Sequence, residues 1–127
     1  MTENEIATLV VDASYKVHVG LGPGLLESLY EVALCHELKK RGLTAERQVP
    51  VPVVYDGLRF DEGFRADVVV QNKLLLELKS VEKVLPVHKK QTLTYIRLMD
   101  KRLGLLVNFG AERMKDGIFR IVNGLEE

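Results

Sequence analysis

Two carboxylates and an amine, Asp67, Glu77 and Lys79, lie near one another in the chain and are the residues best placed to do chemistry. Carboxylates brought side by side repel one another, and burying them costs several kcal/mol each unless they are paired or hold a cation. A hard divalent ion such as Mg²⁺ (or Mn²⁺) resolves both problems, because it takes oxygen ligands and keeps several waters. A lysine beside such an ion can hold an attacking water or offset charge on phosphorus. Metal-assisted phosphodiester hydrolysis is therefore the chemistry within reach. A solvated ladder of ion pairs on an exposed sheet face is the competing account.

Strand register brings the three together. Side chains alternate along a strand, so Phe64, Ala66, Val68 and Val70 should share one face and Arg65, Asp67, Val69 and Gln71 the other. In the next strand Leu74, Leu76 and Leu78 oppose Leu75, Glu77 and Lys79. A two-residue Asn72-Lys73 turn would set Val68 against Glu77, apolar against charged. An odd-length loop or bulge instead pairs Val70 with Leu76 and Val68 with Leu78, so both apolar sets reach one core. Asp67, Glu77 and Lys79 then emerge together on the opposite face.

The flanking elements follow from periodicity. Thr2-Glu3-Asn4-Glu5 has capping-box spacing, and a helix should run to about His18 on Ile6, Leu9, Val10, Ala13 and Val17. Gly20, Gly22, Pro23 and Gly24 break it, and a second helix spans about Leu25 to Arg41 before Gly42. Leu43 to Val54, with Pro50 and Pro52, suits an edge strand, and Asp56-Gly57 a hairpin turn. Strands follow at about Phe64–Gln71 and Leu74–Ser80, then a helix from about Val87 to Lys101 that Gly104 ends, then strands at Gly104–Phe109 and Gly117–Val122. The order predicts an α/β fold with a mixed central β-sheet flanked by helices.

A chain of 127 residues fits one domain. No apolar run approaches the roughly 20 residues of a membrane helix, and the acidic start Met-Thr-Glu-Asn-Glu does not read as a secretory signal. The expectation is a cytoplasmic protein with no membrane association. Cys35 is the single cysteine, expected to be a core thiol. The formal net charge of zero excludes strong sequence-independent attraction to nucleic acid, leaving only local basic clusters such as Lys89-Lys90. Apolar Val11, Val51 and Val53, read as exposed, suggest a homodimer.

These residues resemble a known pattern. Ala66-Asp67 followed by Glu77-Leu78-Lys79 resembles the metal-binding core of the PD-(D/E)XK nuclease superfamily. Gln91-Thr92-Leu93-Thr94-Tyr95 resembles the QxxxY element of its exonuclease-like branch, and Gly24-Leu25-Leu26-Glu27-Ser28-Leu29-Tyr30 the signature of the GxxExxY proteins placed in it. The resemblance implies a restriction-endonuclease-like core over one nuclease-like domain spanning 1–127. It implies that Asp67 and Glu77 are metal ligands, with the Leu78 carbonyl a third and Glu27 completing the site, and that Lys79 orients the water. Gln91 and Tyr95 would line the cleft, with His88, Lys89 and Lys90 available to substrate; His88 is also read as a surface or capping residue. Tyr30 is read as packing and Glu31 as solvated. Ala66 replaces the usual Pro before the first Asp.

The function so implied is a metal-dependent nuclease acting on DNA or RNA, with specificity supplied by dimerisation or a protein partner. The alternatives are a nuclease-fold binding or accessory module, and hydrolysis of a smaller phosphodiester.

Overall fold

The computed structural model describes residues 1–125. Helix α1 (Glu3–Leu21) starts at the expected box: the Glu5 N–H donates to Thr2 Oγ1 at 3.1 Å and the Thr2 N–H to the Glu5 carboxylate at 3.0 Å. The helix runs through Gly20 and stops at Gly22, whose φ of 74° no ordinary side chain favours. Helix α2 follows (Glu27–Lys40), then β1 (Ala45–Tyr55), β2 (Leu58–Val70), β3 (Leu74–Lys79), α3 (Pro86–Leu98), β4 (Leu103–Asn108) and β5 (Ile118–Val122).

The five strands form one sheet in sequence order, antiparallel except for β3 beside β4. That parallel pair needs a crossover, and α3 supplies it. The central strands are covered on both sides, which explains the unbroken apolar runs Leu74-Leu75-Leu76 and Leu103 to Val107, all buried. Helices α1 and α2 cover one face: Ile6, Val10, Tyr30, Leu34 and Leu38 pack on Val68, Val70, Leu76 and Leu78. Helix α3 covers the other, with Ile96 over Ala66, Val69 and Leu75. Burying each such Leu or Ile contributes about 1.5 to 3 kcal/mol. Gly104 lies within β4 rather than ending α3; a Cβ there would meet Ile96 Cγ2 at 2.9 Å, so its bareness lets α3 approach the sheet.

Three expectations about the strands are corrected. The β2–β3 loop holds three residues, Gln71 to Lys73, with Gln71 and Asn72 at positive φ. Val70 therefore faces Leu74 and Val68 faces Leu76, not Leu76 and Leu78. The odd loop length keeps the expected faces, since a shift of two preserves alternation.

The second correction concerns Phe64 and Ala66. They were expected beside Val68 and Val70 but belong to the α3 face, with Val69 and Leu75. The strands change face at one place. Ladder pairs Arg47–Val68 and Val49–Ala66 flank a gap where Gln48 and Asp67 would pair, and Gln48 takes a φ of 51°. Both strands switch side there in step and keep their pairing register; the register itself shifts further along, between Val51–Phe64 and Val53–Phe60, where β2 carries two more residues than β1.

The β1–β2 hairpin also extends further than predicted. Asp56 and Gly57, with φ of 49° and 79°, make its tight turn, and β2 begins at Leu58 rather than Phe64. The result is an arm reaching past the ends of β3.

Candidate active site

Asp67 sits at the face switch, so its N–H is withdrawn from the β1 ladder. It donates instead to Glu77 Oε2 at 3.0 Å, while Asp67 Oδ2 accepts from the Leu78 N–H at 2.8 Å. Glu77 is 8% exposed. Burial first, then the charge and hydrogen bond of Asp67, push its carboxyl up to about 9, against the lowering effect of Lys79 and of the Asp67 N–H. One proton therefore stays on the pair at neutral pH, in the way adjacent carboxyls share one.

Other elements close around this pair. The Glu77 and Asp67 charges, after burial, raise the Tyr95 phenol, which places Tyr95 of α3 within electrostatic reach. Its ring stacks on Phe64 at 4.0 Å between centroids. On the other side a cavity of about 220 Å³ is lined by Glu27, Ser28, Glu31, Gln48, Asp67 and Leu78. Glu27, the first residue of α2, thus meets Asp67 across the cavity.

The loop before α2 is fixed to do this. The Tyr30 hydroxyl donates to the Gly22 carbonyl and accepts from the Leu25 N–H at 3.1 Å, and its buried ring stacks on Phe109. Ser80 Oγ donates to the Leu25 carbonyl at 2.6 Å, tying that loop to the end of β3. Gly24 supplies a φ of 99° between them. The Gly24, Glu27 and Tyr30 spacing is therefore a structural unit that delivers Glu27 to the sheet.

The residues fit a divalent ion of the Mg²⁺ kind, which is held by one or two carboxylates with waters filling the rest. Asp67 and Glu77 would hold it, with the Leu78 carbonyl available as a further oxygen. Among the described residues no group of three or more His, Cys, Asp or Glu gathers closely enough to hold a metal ion, so Glu27 does not join Asp67 and Glu77 as a third ligand.

A family model described as the PD-(D/E)XK nuclease superfamily matches residues 4–121. The chain belongs to this superfamily. Its mixed five-stranded sheet with three helices is the corresponding restriction-endonuclease-like α/β fold. The solved structure of SSO0001 is similar over 95% of this chain and 79% of its own, with a TM-score of 0.55 and 18% identity, a likeness of fold. No curated protein matches the sequence. No helix among the described residues is long and apolar enough to cross a membrane.

Within this nuclease-superfamily frame the remaining sequence candidates separate. Lys79 shares the Glu77 side of β3 and is half-buried. Gln91 is exposed on α3, one turn before Tyr95. His88 Nδ1 accepts from the Leu85 N–H at 3.0 Å, capping α3. Lys89 holds its ammonium over the Phe119 ring at 4.2 Å, toward β5, and Lys90 is exposed.

The expectation of a solvated Glu31 is overturned. It is 5% exposed, paired with Arg47 at 2.9 Å, and accepts from Gln48 Nε2 at 2.8 Å. Its anchoring of Gln48 holds the strand at the face switch opposite Asp67. Its place one helical turn after Glu27 is the signal that sequence reading passed over. Val51 is buried, and Val11 and Val53 are half-buried, so the three valines read as exposed do not form a free surface.

Proposed function

We propose that the chain is a metal-dependent nuclease that hydrolyses phosphodiester bonds in DNA or RNA. What supports this reading most is the buried Asp67–Glu77 pair, within a chain of the PD-(D/E)XK superfamily. A fold without chemistry has little use for two facing carboxyls that repel unless a proton or cation lies between them.

Asp67, Glu77 and the Leu78 carbonyl would hold Mg²⁺ or Mn²⁺, and Glu27 lines the neighbouring cavity with Asp67 and Leu78. A divalent ion there supplies Lewis-acid activation of water and neutralises charge on the phosphate. Lys79 orients the attacking water and offsets charge on the phosphorus centre. Tyr95 and Gln91, a turn apart on α3, contact the substrate phosphate from the opposite wall. The Gly24, Glu27 and Tyr30 spacing supports placement among the GxxExxY proteins.

The test is calorimetric Mg²⁺ and Mn²⁺ binding by wild type and by Asp67→Ala with Glu77→Ala, beside cleavage of single-stranded, duplex and branched DNA and RNA. Binding and cleavage both lost in the double variant support the nuclease. Binding without cleavage by wild type would turn the reading to an accessory module.

A further inference from the structure

The β1–β2 arm carries an apolar strip that the proposed chemistry does not use. Cross-strand pairs Val53–Phe60 and Tyr55–Leu58 share one face, and Val54–Arg59 lie on the other. The strip ends inward at the register shift between Val51 and Val53, beyond which Phe64 is stacked on Tyr95. Tyr55, Leu58 and Phe60 are 72%, 61% and 52% exposed. A two-stranded ribbon is marginal in water without a partner for its apolar face.

Charge decides what that partner is. From Val53 to Arg65 the arm has Arg59 and Arg65 against Asp56, Asp61 and Glu62. Arg59 is paired with Asp61 at 3.1 Å and Arg65 with Glu62 at 2.6 Å. The arm thus offers no uncompensated cation to a phosphate backbone, which dominates nucleic-acid affinity. The apolar face itself bears no charge, and a second copy of the same face matches it.

We propose that the arm is a self-association surface and that its occupant is the arm of a second copy, packed face to face about a twofold axis near Phe60. The three exposed side chains offer roughly 350 Å² of surface, taking about 150 to 250 Å² for an aromatic residue. That is near half of the roughly 800 Å² each partner gives to a stable interface; Val53 and the arm backbone supply more. A twofold contact is isologous, so like meets like.

Sedimentation velocity of the full chain tests this without reference to metal or cleavage, so its outcome is independent of the nuclease reading. Wild type is expected to sediment as a dimer at micromolar loading and Tyr55→Arg with Phe60→Arg as a monomer. In a Cys35→Ser background, Phe60→Cys is expected to oxidise to a disulfide-linked dimer at least tenfold faster than Val54→Cys on the opposite face. This pair carries the test if the arginine variant does not fold. A monomeric wild type, a dimer that survives the arginines, or equal crosslinking at the two positions overturns the proposal. So does a monomer whose Tyr55 and Phe60 are needed to bind a single-stranded oligonucleotide, which would give the strip to nucleic acid.

Discussion

Asp67 and Glu77 are cross-bonded: the backbone N–H of the first holds the carboxyl of the second, while its own carboxyl holds the N–H of Leu78, next in chain to Glu77. Neither side chain can be reoriented without releasing a backbone group of the facing strand. The pair is rigid before any ligand arrives, as a site that must fix two oxygens requires.

This rigidity has a stability cost that depends on pH. Glu77 has its folded pKa raised from 4.5 to about 9, so the folded state holds a proton that the unfolded chain releases. The stability linked to that proton is full below about pH 4.5 and is lost as pH rises towards 9. Glu77→Gln keeps an acceptor for the Asp67 N–H and removes the titration. It is expected to stabilise the metal-free protein by on the order of 1 to 3 kcal/mol at pH 8 and to have little effect at pH 4. Denaturant melts at the two pH values measure this, and an equal effect at both would remove Glu77 as the cause.

Metal binding should displace the same proton. Mg²⁺ affinity is expected to rise with pH between 6 and 9, with close to one proton released per ion at pH 7. Calorimetry in buffers of different ionisation enthalpy counts the proton. A pH-independent affinity would mean that the ion binds elsewhere.

Lys79 is expected to separate binding from chemistry. Lys79→Ala should leave Mg²⁺ binding within about threefold and lower cleavage by roughly 10²-fold or more, the scale of losing one electrostatic stabiliser. Single-turnover cleavage at saturating metal reads the difference. Equal losses in binding and rate would make Lys79 only a neutraliser of the carboxyl pair.

Tyr30→Phe removes only the hydroxyl that holds the Gly22 carbonyl and the Leu25 N–H. The expected loss is about 1 to 2 kcal/mol, with a weaker contribution from Glu27 because the loop that delivers it loosens. Melting and metal titration together check this; a melt unchanged from wild type would show that the ring alone holds the loop.

Much of this was legible in the sequence because apolar alternation is a strong constraint. The odd-length loop from Gln71 to Lys73 and the convergence of Asp67 with Glu77 follow from where apolar side chains must go, and the capping box from the spacing of Thr2 and Glu5. What escaped were features that break alternation. The face switch at Gln48 depends on a positive φ in a residue that does not advertise one, so Phe64 and Ala66 were placed on the wrong side. Glu31 was read as solvated because a glutamate on a helix usually is; only the fold brings Arg47 and Gln48 to it. The arm was read short because residues 58–63 lack the apolar content of a buried strand.

The matched face switch at Gln48 and Asp67 also constrains how this sequence can diverge. A single-residue insertion or deletion in either strand between the switch and the hairpin turn would put the two strands out of phase, turning one outward while the other stays in. Length changes in this region keep phase as compensated pairs, one in each strand, or in twos on one strand, as between Val51–Phe64 and Val53–Phe60, where β2 carries two residues more than β1. Homologous chains should therefore vary the arm at its Asp56-Gly57 end and keep a constant count of residues from Gln48 and from Asp67 to the first inward side chain on each strand.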